Sequence, residues 1–289
     1  MTTASVKPTL QRLKEYQSQI EAQLQNSIDE LGKKSPLRDA CEYALLSGGK
    51  RLRPAIVLMI AKALGSTQTP WGVALSVELF HTASLIADDL PCMDNDDTRR
   101  GKASVHKAFS EDIALLASYA LIAAGYRGVY SSSLGLSEDR KGKTTLLALE
   151  CATRNTGILG ATGGQFIDIY PPDQSLETLR QVIHFKTVTL YELAFVYGWL
   201  YGGGEFERLE EVKKAAWHFG MAFQISDDLG DVDEDAARGC QTNMAVARGL
   251  ESTRETLKLE MDLFDQSMND LGLMNSDFKE LSTYLRNRL

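Results

Sequence analysis

Two acidic clusters, set more than a hundred residues apart, constrain this chain more than any other feature. The first reads Asp88-Asp89-Leu90-Pro91-Cys92-Met93-Asp94 and continues Asn95-Asp96-Asp97-Thr98-Arg99-Arg100-Gly101. Five aspartates and an asparagine fall within ten residues, and two arginines follow at once. Residues 77–87, just before, are mostly apolar, as in a core helix, so the acids sit at the end of a buried helix. The second cluster is Asp227-Asp228-Leu229-Gly230-Asp231. Carboxylates held this close repel: two unit charges about 4 Å apart, at an effective dielectric near 20, cost roughly 4 kcal/mol. Such clusters want cations. Oxygen-only donors suit Mg²⁺, which keeps waters and shares its shell with phosphate oxygens. Arg99 and Arg100, fork-shaped phosphate donors, point to the same substrate class.

The two clusters are spaced differently. Asp227 and Asp231 are four apart, so a helix projects both from one face. Asp88 and Asp94 are six apart and would diverge on a straight helix. Pro91 lies between them and removes a backbone donor, so two extra residues are expected to bulge out and return Asp94 toward Asp88.

With 289 residues, 44% of them hydrophobic, the chain can build an ample core. Its net charge of −8 argues against nucleic acid as a partner. The longest uncharged apolar stretch, residues 113–126, is too short to span a bilayer and reads as a buried helix. The N-terminus, Met1-Thr2-Thr3-Ala4-Ser5-Val6-Lys7, lacks the apolar segment of a signal peptide, and Cys41, Cys92, Cys151 and Cys240 have no metal spacing. Reduced core thiols in a cytoplasmic protein are the reading.

Strand signals are almost absent, and helical periodicity dominates. The expectation is one all-α domain over residues 1–289, with roughly ten helices. Helices are expected over residues 8–31, 37–47, 54–64, 72–90, 108–132, 144–170, 176–201 and 207–231, with two or three more across 250–289. Between the second and third stands Gly48-Gly49-Lys50-Arg51-Leu52-Arg53-Pro54. Alone it reads equally as a glycine helix stop with a basic turn, or as a flexible cationic grip on a diphosphate. A Walker A loop is excluded, because the position that needs glycine holds Ala44. A calcium loop starting at Asp94 is disfavoured, because its sixth and twelfth positions hold Arg99 and Val105. His81 lies nearly two helical turns before Asp88 and shares its face. The glycines in Gly160-Ala161-Thr162-Gly163-Gly164-Gln165-Phe166-Ile167-Asp168 suggest close backbone approach.

With these segments in view, the chain resembles the trans-isoprenyl diphosphate synthases of the farnesyl and geranylgeranyl type. The likeness runs from about residue 38 to the end and rests on residues 48–54, His81, residues 88–101, Gly163-Gly164-Gln165, Lys186-Thr187 and residues 223–231, in the family's order and spacing. The resemblance implies a helical bundle around a deep central cavity, usually a homodimer. It implies about three Mg²⁺ held by Asp88, Asp94 and Asp227, with Asp89, Asp228 and Asp231 direct or through water. Arg99 and Lys186, with Thr187 and Gln224 nearby, would complete the allylic diphosphate cage. Lys50, Arg53, His81 and Arg100 would hold isopentenyl diphosphate. The implied reaction ionises the allylic C–O bond, with metal and cations stabilising the leaving diphosphate. The isopentenyl double bond attacks the cation and a proton leaves, giving a product five carbons longer. No nucleophilic side chain is required.

Three segments depart from the family pattern: Ser118-Tyr119-Ala120-Leu121 for Gly-Asp-Ala-Leu, Lys186-Thr187-Val188 for Lys-Thr-Gly, and Gly239-Cys240-Gln241 where a Gly-Lys is usual. Product length in the family follows cavity depth, often at the residue five before the first aspartate. Here that is Ala83, followed by Ser84. The expectation is a cavity deep enough for a C20 product or longer, with Tyr119 as a compensating floor that would restore C15 or fix C20. The allylic starters would be dimethylallyl, geranyl or farnesyl diphosphate. Two other classes compete. A class I terpene cyclase would not need Lys50, Arg53 and His81, and a non-catalytic partner subunit would be expected to lack metal ligands.

Overall fold

The structure, a computed structural model, describes residues 11–238 and 242–287. The N-terminal reading on residues 1–10 and the Gly239-Cys240-Gln241 departure lie outside the described residues.

The chain opens with α1 (Gln11–Ser27), α2 (Pro36–Leu45), α3 (Leu52–Ala63) and α4 (Trp71–Asp88). A two-residue hairpin follows, β1 (Thr98–Arg99) against β2 (Lys102–Ala103), then α5 (Val105–Ala108), α6 (Glu111–Leu134), α7 (Glu138–Thr156) and α8 (Ala161–Ile169). α9 (Leu176–Ile183) passes through a π-turn, His184–Val188, into α10 (Thr189–Gly202). The chain continues through α11 (Leu209–Gly230), α12 (Val232–Arg238), α13 (Met244–Arg248), α14 (Leu250–Asp270) and α15 (Ser276–Arg286).

Local chemistry sets several starts. Ser35 accepts the Arg38 N–H ahead of Pro36, and Ser175 accepts that of Thr178. Asn243 and Asn275 each accept two backbone N–H groups at the starts of α13 and α15. α10 is apolar nearly all round and buried along its length, as a helix without a polar face must be. It packs against α3, α7 and α11, α4 lies along α6, and α11 lies along α14. Phe195, Phe219 and Phe264 meet in one aromatic cluster between α10, α11 and α14.

Three expectations are corrected. Residues 144–170 are not one helix: α7 starts earlier, at Glu138, and the chain turns at residues 157–160 before α8. Residues 176–201 are helical but widened by one residue at the π-turn. α6 is not simply buried: one side packs along α4, while Leu116, Tyr119, Tyr130 and Leu134 are exposed on the other. By length and composition α6 is the one described helix apolar enough to cross a membrane.

α1 and α15 join at the buried carboxylate of Asp277, which accepts from Tyr16 Oη at 2.8 Å, Lys62 Nζ at 3.0 Å and Arg12 at 3.0 Å. Burial alone would raise this carboxyl, yet the bonds from Tyr16, Lys62 and Arg12 hold it below its ordinary value. A carboxylate held low adds stability above the ordinary carboxylate range, and that addition is lost as pH falls through its folded value. Asp277→Asn should therefore cost about 1–3 kcal/mol at neutral pH. The gap to wild type should close as melts are repeated below about pH 4. A gap that stays constant with pH would mean that the charge does not tie α1 to α15.

Candidate active site

α4 ends at Asp88, and the chain then turns at Pro91. The Asp94 N–H donates to the Asp88 carbonyl at 2.9 Å, across six residues, while Met93 and Asn95 both donate to the Leu90 carbonyl. This wide turn carries Asp94 back beside Asp88. Asp88 lines the central cavity, and burial raises its carboxyl to about 7; Lys186 opposes that rise and Asp94 adds to it. Asp89 points the other way. It is 2% exposed and gripped by Arg99, whose Nε lies at 2.8 Å; Arg99 also holds Asp96 at 2.8 Å.

The second cluster divides in the same manner. Asp227 lines the cavity, 3.9 Å from Lys50 Nζ. Asp228 is buried and accepts from Gln224 Nε2 and from the Met244 N–H, both at 2.8 Å, which ties the end of α11 to α13. Burial, the largest influence, raises its carboxyl to about 6. Asp231 caps α11, donating its N–H to the Asp227 carbonyl at 3.0 Å, and is exposed.

Cations arrive from three elements. Arg53 stacks over the Tyr191 ring at 4.3 Å, and its Nη1 lies 3.3 Å from His81 Nε2. Arginine can only donate, so Nε2 accepts and the His81 proton sits on Nδ1, which has no partner among the described residues. Burial first, then Arg53 and Arg100, push His81 well below its ordinary pKa and keep it neutral. Arg100, in a left-handed conformation at the hairpin turn, donates to the Gly48 carbonyl.

α8 is a shelf beneath the first cluster. Gln165 Nε2 donates to Asp94 at 2.9 Å, and Asp168 accepts from Lys186 Nζ at 2.5 Å; that nitrogen lies 3.9 Å from Asp94. Lys186 sits on the π-turn. α8 reaches it only because residue 164 is glycine: a Cβ there would lie 2.5 Å from the Lys186 backbone nitrogen. Thr187 Oγ1 donates to Gln224 Oε1 at 2.8 Å, fixing the amide whose other end holds Asp228.

One cavity of about 550 Å³ gathers Lys50, Arg53, His81, Arg99, Arg100, Lys186, Thr187 and Gln224 with Asp88 and Asp227. Asp94 is outside this lining, 3.9 Å from the Lys186 Nζ that belongs to it. Asp89 and Asp228, expected as ligands or catalytic groups, are committed to Arg99 and to the α11–α13 junction, and Asp231 lies outside the lining. A second, mostly apolar cavity of about 400 Å³ shares Asp88, Ser84 and Leu190 with the first. The expectation for its wall is also corrected. Ser84 lines it, with Phe80 and Ala87 from the same face of α4. Ala83 is buried against α6, its carbonyl accepting Ser118 Oγ at 2.9 Å, and Tyr119 is 60% exposed. Sequence reasoning gave no role to Phe80, Asp168 or Tyr191. Phe80 shares a helix face with Ser84 and was legible in principle; the other two depend on contacts between distant segments.

The helical bundle brings two carboxylate-tipped helices to one cationic cavity, with a mostly apolar cavity beside it. The polyprenyl synthetase family model matches residues 34–243, and the chain belongs to that family. Geranylgeranyl pyrophosphate synthase 3 of Arabidopsis thaliana, chloroplastic, is 39% identical over 202 residues, 68% of this chain and 55% of that protein. The chloroplastic geranylgeranyl pyrophosphate synthase of Capsicum annuum is 38% identical over 204 residues, 69% of this chain and 54% of that one. The chain thus spans little more than half the length of these curated relatives. Among solved structures, a geranyltransferase from Legionella pneumophila superposes with a TM-score of 0.84 at 29% identity, covering 96% of both chains. An FPP/GFPP synthase from Zymomonas mobilis does so with 0.82 at 28% identity, covering 96% of this chain and 99% of that one.

Gly164→Ala should push α8 off the π-turn and swing Lys186 from Asp94 and Asp168. The expected cost is about 1–3 kcal/mol in a denaturant melt, from overpacking. Unchanged stability would mean that the close approach of α8 is not needed.

Proposed function

We propose that this protein is a Mg²⁺-dependent trans-isoprenyl diphosphate synthase, acting as one domain, that joins isopentenyl diphosphate to an allylic diphosphate. The observation that carries the reading is the cavity that unites Asp88, Asp227 and the eight expected substrate-binding side chains and adjoins an apolar cavity. A diphosphate seated among the cations would send its hydrocarbon tail past Ser84 toward Phe80.

The donor set fits Mg²⁺. Asp88, Asp94 and Asp227 are oxygen donors, and the upward push on Asp88 is what a buried carboxylate awaiting positive charge should feel. Among the described residues, no three acidic, histidine or cysteine side chains converge closely enough to hold an ion by themselves. That suits Mg²⁺, which takes one or two carboxylates and completes its shell with waters and substrate phosphate oxygens. When bound, the metal would neutralise the charge that grows on the leaving diphosphate.

The chain's own groups do the rest. Lys186 and Arg99 face the allylic diphosphate and stabilise it as it departs. Lys50, Arg53 and Arg100 hold the isopentenyl diphosphate, and the partnerless Nδ1–H of neutral His81 is a further donor for it. The apolar lining excludes water from the allylic cation, so that the isopentenyl double bond is the nucleophile at hand. The departed diphosphate is the base for the proton lost afterwards. The exposed apolar side of α6 supports a homodimer, since a stripe of large apolar side chains is the usual mark of an interface. The free thiols of Cys41, Cys92 and Cys151 support a reducing compartment such as the cytoplasm.

Purified protein with Mg²⁺, isopentenyl diphosphate and each of dimethylallyl, geranyl and farnesyl diphosphate should yield longer prenyl diphosphates, and EDTA should abolish the reaction. Product from an allylic diphosphate alone would instead indicate a cyclase, and no product at all a silent partner subunit. A C20 product is expected, with C15 the alternative. Ser84→Phe should shorten it by at least one five-carbon unit and Phe80→Ala should lengthen it, read by chromatography. Unchanged products from both variants would remove the tail from this cavity.

A further inference from the structure

Arg51 stands inside the cationic loop but does not share its task. Lys50 and Arg53, on either side, reach the cavity: Lys50 lies 5.6 Å above the Phe223 ring, and Arg53 lies on Tyr191. Arg51 also borders the cavity, with Glu78, but its side chain is fully buried and its guanidinium is spent on protein partners. Its backbone is left-handed, with φ 48°, a conformation that a non-glycine residue keeps only when its surroundings hold it. They do so from three directions. Arg51 donates to Glu78 of α4, to the carbonyl of Leu45 at the end of α2, and through Nε to Glu21 of α1 at 2.7 Å. One turn earlier on α1, Gln17 Nε2 donates to the Gly49 carbonyl at 2.6 Å. Gln17 and Glu21 are spaced i, i+4, so one face of α1 grips the loop at two points.

α1 lies outside the residues that the family model matches, yet it holds the loop on which Lys50 and Arg53 sit. We infer that α1, through Gln17 on Gly49 and Glu21 on Arg51, sets the position of Lys50 and Arg53 and so governs affinity for the diphosphate they hold, without touching it. This rests on the reading of that diphosphate as isopentenyl diphosphate. Gln17, Glu21 and Arg51 are positioning residues. Glu78 is the fixed counter-charge that keeps the buried guanidinium in place, and Glu21 is the partner that α1 adds. The loop has little of its own to hold it, because Gly48 and Gly49 both have positive φ. Loss of the α1 contacts leaves the Arg51 bonds to Glu78 and Leu45 and the Arg100 bond to Gly48 intact, but removes the hold on Gly49 beside Lys50.

Gln17→Ala, Glu21→Gln and the double variant test this; Arg51 itself is left alone, since its removal would strand Glu78. The double variant should weaken isopentenyl diphosphate about tenfold, in KM and in calorimetric Kd. Its kcat and the KM of the allylic substrate should stay within about twofold of wild type. Leu257→Ala, in the core on α14, is the control for stability: it should lower Tm without moving either KM. Equal loss for both substrates, or a KM that follows Tm in the control as well, would reduce α1 to a purely structural role and overturn the inference. Wild-type turnover with unchanged variants would also overturn it and leave the proposed function standing. Wild-type protein that binds isopentenyl diphosphate without turnover would refute the proposed function, and the Kd series alone would then decide the inference. Absence of binding to wild type would end both.

Discussion

A carboxylate at the buried end of an apolar helix is tolerable only if positive charge faces it. Asp88 is in that position, and much of the molecule answers to it. The π-turn brings Lys186 to bear on it from one side and the hairpin brings Arg99 from another, with Arg100 in the same cavity wall. The loop before α3 brings Lys50 and Arg53 to the same cavity. The result is a chamber with both signs of charge on its wall, not a uniformly basic patch. Such a chamber suits a ligand that arrives with many negative oxygens and bound cations of its own.

Each acidic pair is divided between two tasks. Successive residues on a helix point about 100° apart. When Asp88 and Asp227 look into the cavity, Asp89 and Asp228 must look elsewhere. Asp89 holds Arg99 and so fixes a cation at the rim; Asp228 receives the Met244 N–H and holds α13 against α11. The doubled aspartate thus sets a cavity-facing carboxylate next to an anchor. A similar division runs through the loop, where Lys50 and Arg53 line the cavity and the fully buried Arg51 is committed to Glu21 and Glu78.

The cationic and apolar cavities adjoin along α4, where Asp88 and Ser84 belong to both. One helix therefore presents the charged end and the greasy wall of the site in register. The side chain one turn further from Asp88 than Ser84 is Phe80, braced edge-on by Tyr126. The depth of the apolar cavity is thus set on the same element that carries Asp88.

The helical class, both acidic clusters, the wide turn at Pro91 and the cationic loop were all legible in the sequence, because each is a local pattern: helical periodicity, paired aspartates, a proline between acids. Local patterns do not say which member of a doubled aspartate faces inward, and Asp89 and Asp228, expected among the ligands, are engaged instead by Arg99 and by Gln224 and Met244. They also do not tell Ser84 from Ala83, since one residue of helix rotation moves a side chain from the cavity wall to the α6 interface. The π-turn under Lys186, the approach of Gly164, the Asp168 bond and the grip of α1 on Arg51 join segments distant along the chain. Composition and spacing determined what chemistry this protein carries. Which atoms are free to perform it was decided by tertiary packing alone, because burial and long-range contacts consume some polar groups and leave others open.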